Sequence, residues 1–262
     1  MSESLAFRII SKKKVPRTTS KILDLIVGES KMREFSAIHG LSTALGKYWE
    51  DLAIGLAEQN GFTIHSQHEM KEVAKLPKQC PSHIMDLVNE IIHDRENWHG
   101  KYSPSETKEA VREACQHFVA RPPQAWEKPG VGEGIDVWIE KDGIHYITDS
   151  KTVQPNLGGL KSFMKRIIHW YLAFFSHHPN SQLEAFVFFP FNPYPNIDFW
   201  EGTIGGGKPL SHPEEARCED EFWDFITGNV GSFDSIKRGF SSDKVLQASD
   251  SYFQQCSQEY LP

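Results

Sequence analysis

Asp136, Asp149 and Lys151 are the residues of this chain whose types and spacing best suit chemistry at a phosphate. Asp136 falls in the β-rich run Gly134-Ile-Asp-Val-Trp-Ile-Glu140, and the other two in Ile144-His-Tyr-Ile-Thr-Asp-Ser-Lys151. Lys141-Asp142-Gly143 joins the runs, and Asp-Gly between two such runs signals a hairpin turn. Two antiparallel strands are therefore expected, with Asp149 and Lys151 at positions i and i+2 on one face of the second. A carboxylate on the first strand then lies near one on the second. Two acids that close repel unless a cation stands between them, and Mg2+ suits such oxygen ligands. An ammonium two residues beyond the second acid adds a charge able to hold or deprotonate a water beside a phosphate, or to stabilise developing negative charge. The plainer reading of the same residues is the wet face of a hairpin carrying a surface salt bridge. Against it, Ile147 shares the face of Asp149 and Lys151, and the elements that follow should cover this sheet.

Those elements can be read from apolar spacing. From Ser36 to Gln59, Ile38, Leu41, Leu45, Trp49, Leu52, Leu56 and Ala57 recur at three- and four-residue steps, which predicts an amphipathic helix stopped by Gly61. A short strand is expected from Phe62 to Ile64, and a second helix from Ser82 to about His93. A third runs from Ser105 to Val119, ended by Pro122 and Pro123. After the hairpin, Phe163, Ile167, Ile168, Tyr171, Leu172 and Phe175 form one helical face, and Glu184 to Phe189 has the continuous apolar character of a buried central strand. Proline and glycine make Asn192 to Pro213 largely loop, and Phe222 to Ile226 is a short helix ended by Gly228. The order predicts an α/β (α+β mixed) chain of one domain: a basic arm over 1–30, a core over 36–189 and a loop-rich part over 190–262. The lysines of the arm, Lys12, Lys13 and Lys14, suit either phosphate contact or a solvated terminus.

Composition bounds the function. With 262 residues, 39% hydrophobic and 24% charged, the chain can bury a sizeable core and is too apolar to be disordered. Its longest apolar stretch, Ile167 to Phe175, is too short to cross a bilayer, so no membrane association is expected. The N-terminus lacks the basic and apolar regions of a secretory signal, and Cys80, Cys115, Cys218 and Cys256 stand far apart with no CxxC pair, so a cytoplasmic chain without disulfides or structural zinc is expected. A net charge of −7 excludes a uniformly basic nucleic-acid coat but leaves room for one basic cleft.

Gly134-Ile-Asp136, followed after twelve intervening residues by Asp149-Ser-Lys151, resembles the PD-(D/E)xK nuclease motif. Ile135 stands where the motif's name has Pro, and the second acid is Asp where Glu is also common. An upstream acidic helix, a hairpin carrying the motif, a crossing helix and an apolar strand are similar to the restriction-endonuclease-like αβββαβ core of that superfamily, with its mixed sheet flanked by helices, over about Ser36 to Phe189. The segment from Glu221 to Gly228 further resembles part of type II restriction endonucleases that cut GGNCC-like sites. The resemblance implies a Mg2+-dependent type II restriction endonuclease that hydrolyses double-stranded DNA at a short specific site as a homodimer. It implies that Asp136 and Asp149 bind Mg2+, that the Ser150 carbonyl is a further ligand, and that Lys151 orients the water whose hydroxide displaces the 3′ oxygen in line. Members often add an acid from the upstream helix. Glu50 is the candidate, with Asp51 and Glu58 as competitors, and Glu50 reads equally well as a solvated helix position.

DNA contacts should surround such a site. Lys161, Lys165, Arg166 and His169 offer cations at helical spacing, and Gln154 and Asn156 offer amides in the preceding turn. Gly202-Thr-Ile-Gly-Gly-Gly207-Lys208 has Walker A spacing, yet Pro209 replaces the hydroxyl residue, which favours a flexible loop. His65, His68, His177 and His178 form no HExxH arrangement and are expected at the surface or in loops. Two other functions stay open: a DNA-binding or assembly module with the nuclease fold but no cleavage, and a phosphate-binding protein built on the Gly202 to Lys208 loop.

Overall fold

The computed structural model describes residues 45–152, 155–194 and 196–258; the basic arm, the start of the helix expected from Ser36, and Gln154 lie outside the described residues. The chain divides into two compact units, one of Ala53–Gly228 and one of Met1–Leu52 with Asn229–Pro262. The elements begin with helix α1 over 45–59. Strand β1 (Thr63–Ile64), α2 (Gln67–Val73), β2 (Leu76–Pro77), α3 (Ser82–Glu96), α4 (Pro104–Cys115), α5 (His117–Ala120), β3 (Trp126–Glu127), β4 (Val137–Lys141) and β5 (Ile144–Ser150) follow. Then come α6 (Leu157–His177), β6 (Gln182–Phe189), α7 (Phe199–Gly202), β7 (Ala216–Cys218), α8 (Asp220–Thr227), α9 (Ser232–Phe240) and α10 (Asp243–Gln258).

Five strands form one mixed sheet in the order β1-β4-β5-β6-β7. β1, β4 and β5 pair antiparallel, whereas β5, β6 and β7 pair parallel. The hairpin turn is the expected one: Asp142 and Gly143 have φ of 53° and 78°, the positive pair that a two-residue turn needs to match the twist of its strands. That turn fixes the register, Val137 opposite Thr148 and Glu140 opposite His145. β5 and β6 cannot be joined by a short turn because they are parallel, and α6 is the crossover between them.

α6 is central to the packing. Asn156 caps it, its Oδ1 accepting the Gly159 N–H at 2.8 Å. Trp138, Ile147, Ala185 and Val187 from one sheet face pack with Phe163, Ile167, Trp170 and Phe174 of α6. Ile84, Val88 and Ile91 of α3 and Val111 and Cys115 of α4 belong to the same core. The second half of α6 is therefore covered on both sides, and Trp170 through Ser176 are all buried. The other sheet face meets α8, where Phe222 stacks on Phe188 at 3.7 Å and Phe225 lies 5.0 Å from Tyr146. One buried ion pair crosses this unit: Arg95 of α3 forks onto both oxygens of Glu215, just before β7. Arg95 also donates to the Pro209 carbonyl at 3.0 Å, and Glu215 accepts the Ser211 N–H at 3.1 Å.

In the other unit, Tyr48 and Trp49 of α1 lie 5.7 and 4.7 Å from the Phe240 ring of α9. The structure differs from the sequence expectation in three places. The third helix is broken into α4 and α5 at Gln116 rather than continuous to Val119. The sheet extends past 189, because β7 adds a fifth strand and α8 covers it. The described stretch after 220 is mostly helical, not loop-rich: α9 is short and α10 is polar, with few apolar residues to mark a face. Among the described residues, no helix is long and apolar enough to cross a membrane.

Glu215→Ala leaves the Arg95 guanidinium buried and uncompensated, so unfolding free energy measured with urea should fall by about 3–5 kcal/mol. Asn156→Ala should cost about 1 kcal/mol by removing the cap of α6.

Candidate active site

Asp149 is the penultimate residue of β5 and is 1% exposed. Strand alternation turns it, with Ile147, toward α6. Two cations meet its Oδ2: the ammonium of Lys151, two residues along, and the guanidinium of Arg166 from the third turn of α6. Its other oxygen, Oδ1, is buried and has no hydrogen-bond partner among the described residues. Both cations lie over the Phe163 ring, at 5.7 Å for Lys151 and 5.9 Å for Arg166, which screens them from water and keeps their attraction to Asp149 strong. The Lys151 N–H continues the parallel ladder by donating to Phe188 O at 2.9 Å, so the backbone holding the Asp149-Ser-Lys151 tripeptide is fixed.

Asp136 is half-buried and immediately precedes β4. The hairpin register sets Val137 opposite Thr148; continued by one residue it sets Asp136 opposite Asp149, and directly opposite residues of an antiparallel pair share a face. An orphaned carboxylate oxygen beside a second acid is an all-oxygen donor set. It fits a hard divalent cation such as Mg2+, which Asp136 and Asp149 would hold.

The other residues expected at the site fall in varied places. The Ser150 side chain points to the opposite sheet face by alternation, so only its carbonyl is on offer to an ion. Asn156 caps α6. Lys165 pairs with Glu96 at the end of α3 at 2.9 Å, and Lys161 is half-exposed on the same helix. Arg166 is turned inward onto Asp149 rather than outward with the lysines. Glu50 accepts the Lys47 ammonium at 2.8 Å and lies in the unit of Met1–Leu52. Asp51 is 3.4 Å from the same ammonium, and Glu58 is exposed.

Three of the histidines expected at the surface or in loops are packed instead. His177 stacks on Trp126 at 3.7 Å, and burial pushes its pKa down to about 4. His178 is half-buried beside Phe174, with ring centroids 5.1 Å apart. His65 stacks on Trp138 at 3.7 Å and stands with His145 around Glu140. Sequence reasoning missed this group because its members come from three separate segments. The glycine loop is structural: Gly207, at φ 81°, leaves room for Trp200, whose ring a Cβ there would meet at 2.8 Å. The segment from Glu221 to Gly228 is α8, with Phe222, Trp223 and Ile226 buried.

The family model described as "Type II restriction endonuclease, HinfI" matches residues 1–242. The type II restriction enzyme MjaII of Methanocaldococcus jannaschii is 25% identical over 210 residues, covering 76% of this chain and 51% of the relative. The chain thus spans about half the length of that curated relative. No solved structure matches. The mixed sheet flanked by helices agrees with the family match over residues 1–242, and the chain belongs to the HinfI family of type II restriction endonucleases.

Proposed function

We propose that the chain is a Mg2+-dependent type II restriction endonuclease that hydrolyses phosphodiester bonds of double-stranded DNA at a short specific site, acting as a homodimer in the cytoplasm. The observation that carries this reading is the Asp149 carboxylate: buried, held through one oxygen by Lys151 and Arg166, and open at the other. Family membership and the MjaII similarity support site-specific DNA cleavage.

A bound Mg2+ supplies charge to polarise the scissile phosphate and to make its water more acidic. The chain's own residues do the rest. Asp136 and Asp149 set the ion at the open end of the hairpin. Lys151, already beside Asp149 Oδ2, holds the attacking water by its ammonium and orients it in line with the P–O3′ bond. The attacking water gives up one proton to bulk solvent as its oxygen bonds to phosphorus, the P–O3′ bond breaks, and the 3′ oxygen leaves as an alcohol after taking a proton from a second water. Arg166 offers a fixed guanidinium where negative charge gathers on the phosphoryl oxygens, and its bond to Asp149 keeps it pre-aimed. Lys161 and Lys165, further out on α6, suit non-bridging phosphate oxygens of the flanking duplex, with Asn156 at the N-cap of that helix. A homodimer cuts both strands of a symmetric site, one active site per strand.

Purified chain with Mg2+ should convert a DNA of known sequence into discrete fragments. Asp149→Asn and Lys151→Ala should each lower the cleavage rate by about 10²- to 10³-fold while gel-shift affinity stays near wild type. Normal cutting by both variants would overturn the assignment, and binding without cutting in any divalent cation would support the non-cleaving module. Arg166 separates two roles: as a site residue, Arg166→Ala lowers kcat by about 10²-fold and leaves the salt dependence of DNA binding unchanged. As a backbone contact it would instead reduce the salt slope by about one.

A further inference from the structure

The end of the hairpin remote from the two aspartates carries a second group of ligand-type side chains. Glu140, near the turn on β4, and His145, near the turn on β5, are cross-strand partners. His65 continues β1 alongside them, its N–H donating to Trp138 O at 3.0 Å. Glu140 Oε2 lies 3.4 Å from His65 Nε2 and 3.4 Å from His145 Nδ1. The three ligand atoms are all within 4.8 Å of one another. We propose that His65, Glu140 and His145 form a binding site for a zinc-type transition-metal ion, separate from the carboxylate pair of Asp136 and Asp149.

Three observations point to an ion rather than to hydrogen bonding within the group. First, the contacts are too long for charge-assisted hydrogen bonds, which run at about 2.7–2.9 Å. They match the spacing of ligand atoms around a tetrahedral ion, about 3.4 Å apart when each bond is about 2.0–2.2 Å. Second, the His145 nitrogen facing Glu140 has no proton to offer it. The Trp138 indole N–H points at His145 Nδ1 at 3.3 Å, which makes that nitrogen an acceptor. It therefore meets the carboxylate oxygen lone pair to lone pair. His65 Nε2 is buried and has no hydrogen-bond partner. Acceptors turned toward one another at this distance repel, and a cation at their centre removes the conflict. The ion replaces the long indole contact on His145. Third, a carboxylate stands on the far side of the His65 ring, outside hydrogen-bond length but in the place where metal-binding imidazoles usually have one. His65 Nδ1 faces Glu69 Oε1 at 3.6 Å, while the other Glu69 oxygen is tied down by the Ser66 N–H at 2.6 Å. A carboxylate behind a ligating histidine fixes its ring and raises its basicity.

The donor set chooses the ion. Two imidazoles with one carboxylate suit Zn2+ or Co2+, with water in a fourth position, whereas Mg2+ prefers oxygen alone. Location keeps the two sites apart. Glu140 stands four residues along β4 from Asp136, roughly 13 Å at the usual rise per strand residue, with Trp138 between them on the same face. An ion here ties β1 to the hairpin.

Full-length chain stripped with chelator and titrated with Co2+ in excess Mg2+ should develop the visible absorption of tetrahedral cobalt, with one equivalent saturating and Zn2+ displacing it. Asp149→Asn should keep the signal. Glu140→Gln and His145→Ala should weaken binding by about 10²-fold and Glu69→Gln by about tenfold. Zn2+ should raise the melting temperature of the wild type but not of Glu140→Gln, and the melting curves of the metal-free variants check that they fold. No saturable Co2+ binding, binding equally tight in Glu140→Gln and His145→Ala, or binding lost only in Asp149→Asn would each overturn the proposal. None of these readouts uses DNA cleavage, so the site stands or falls apart from the nuclease reading.

Discussion

A carboxylate that is 1% exposed is costly to keep ionised, since burial removes its water and only nearby opposite charge offsets the loss. Asp149 is stabilised by Lys151 and Arg166, and the two come from different elements. Lys151 is positioned by strand alternation, a local property of the sequence. Arg166 depends on where α6 lies, and α6 lies where its apolar faces send it, against the sheet on one side and against α3 and α4 on the other. The electrostatics of the candidate site therefore rest on the packing of the core. A shift of the crossover helix by a fraction of a turn would leave Asp149 short of a partner.

The same arrangement explains why one oxygen of Asp149 remains open. Both cations converge on Oδ2, from the strand and from the helix, and neither reaches Oδ1. Two acids and two bases stand at this end of the hairpin, Asp136 and Asp149 with Lys151 and Arg166, so their formal charges cancel. On the proposed nuclease reading, a divalent ion held here would keep its full charge available to a phosphodiester, whereas without Arg166 it would spend one charge neutralising the protein.

Legibility in the sequence followed the range of each interaction. The Asp142-Gly143 turn is a local signal, and once it is placed, the period of two along each strand sets Asp136 opposite Asp149 with no information from elsewhere. The mixed sheet is expected from the resemblance of the element order to the αβββαβ core, and the structure supplies the physical reason, α6 serving as the crossover between parallel β5 and β6. Arg166 was read as one cation in a stripe with Lys161, Lys165 and His169, yet it lies one residue, about 100° of helix, beyond Lys165. Its neighbours one turn away, Phe163 and Trp170, are both buried, and that burial is what marks its face as inward. The helices after 228 have few apolar residues to mark a face, and the Glu140 group draws on three segments whose meeting depends on β1 pairing with β4. Neither could be assembled from local spacing alone.

The hairpin thus carries charge at both ends and hydrocarbon in the middle. Asp136 and Asp149 stand at its open end, Glu140 and His145 near its turn, and Trp138 with Ile147 fills the interval against α6. Such a division follows from covering a short sheet with one helix. The helix seals the centre of the strands, where polar side chains would be left without partners, and their ends emerge at its margins, where polar groups can meet ligands. The oxygen-only set lies at the margin near the N-terminus of α6, where the first turns also present Lys161 and Lys165. The histidine set lies toward the C-terminus of that helix, where His178 and Phe174 approach His145. Because Trp138 and Ile147 are buried between them, an ion at one end is separated from the other by packed side chains rather than water, and each end can be tuned by its own residues.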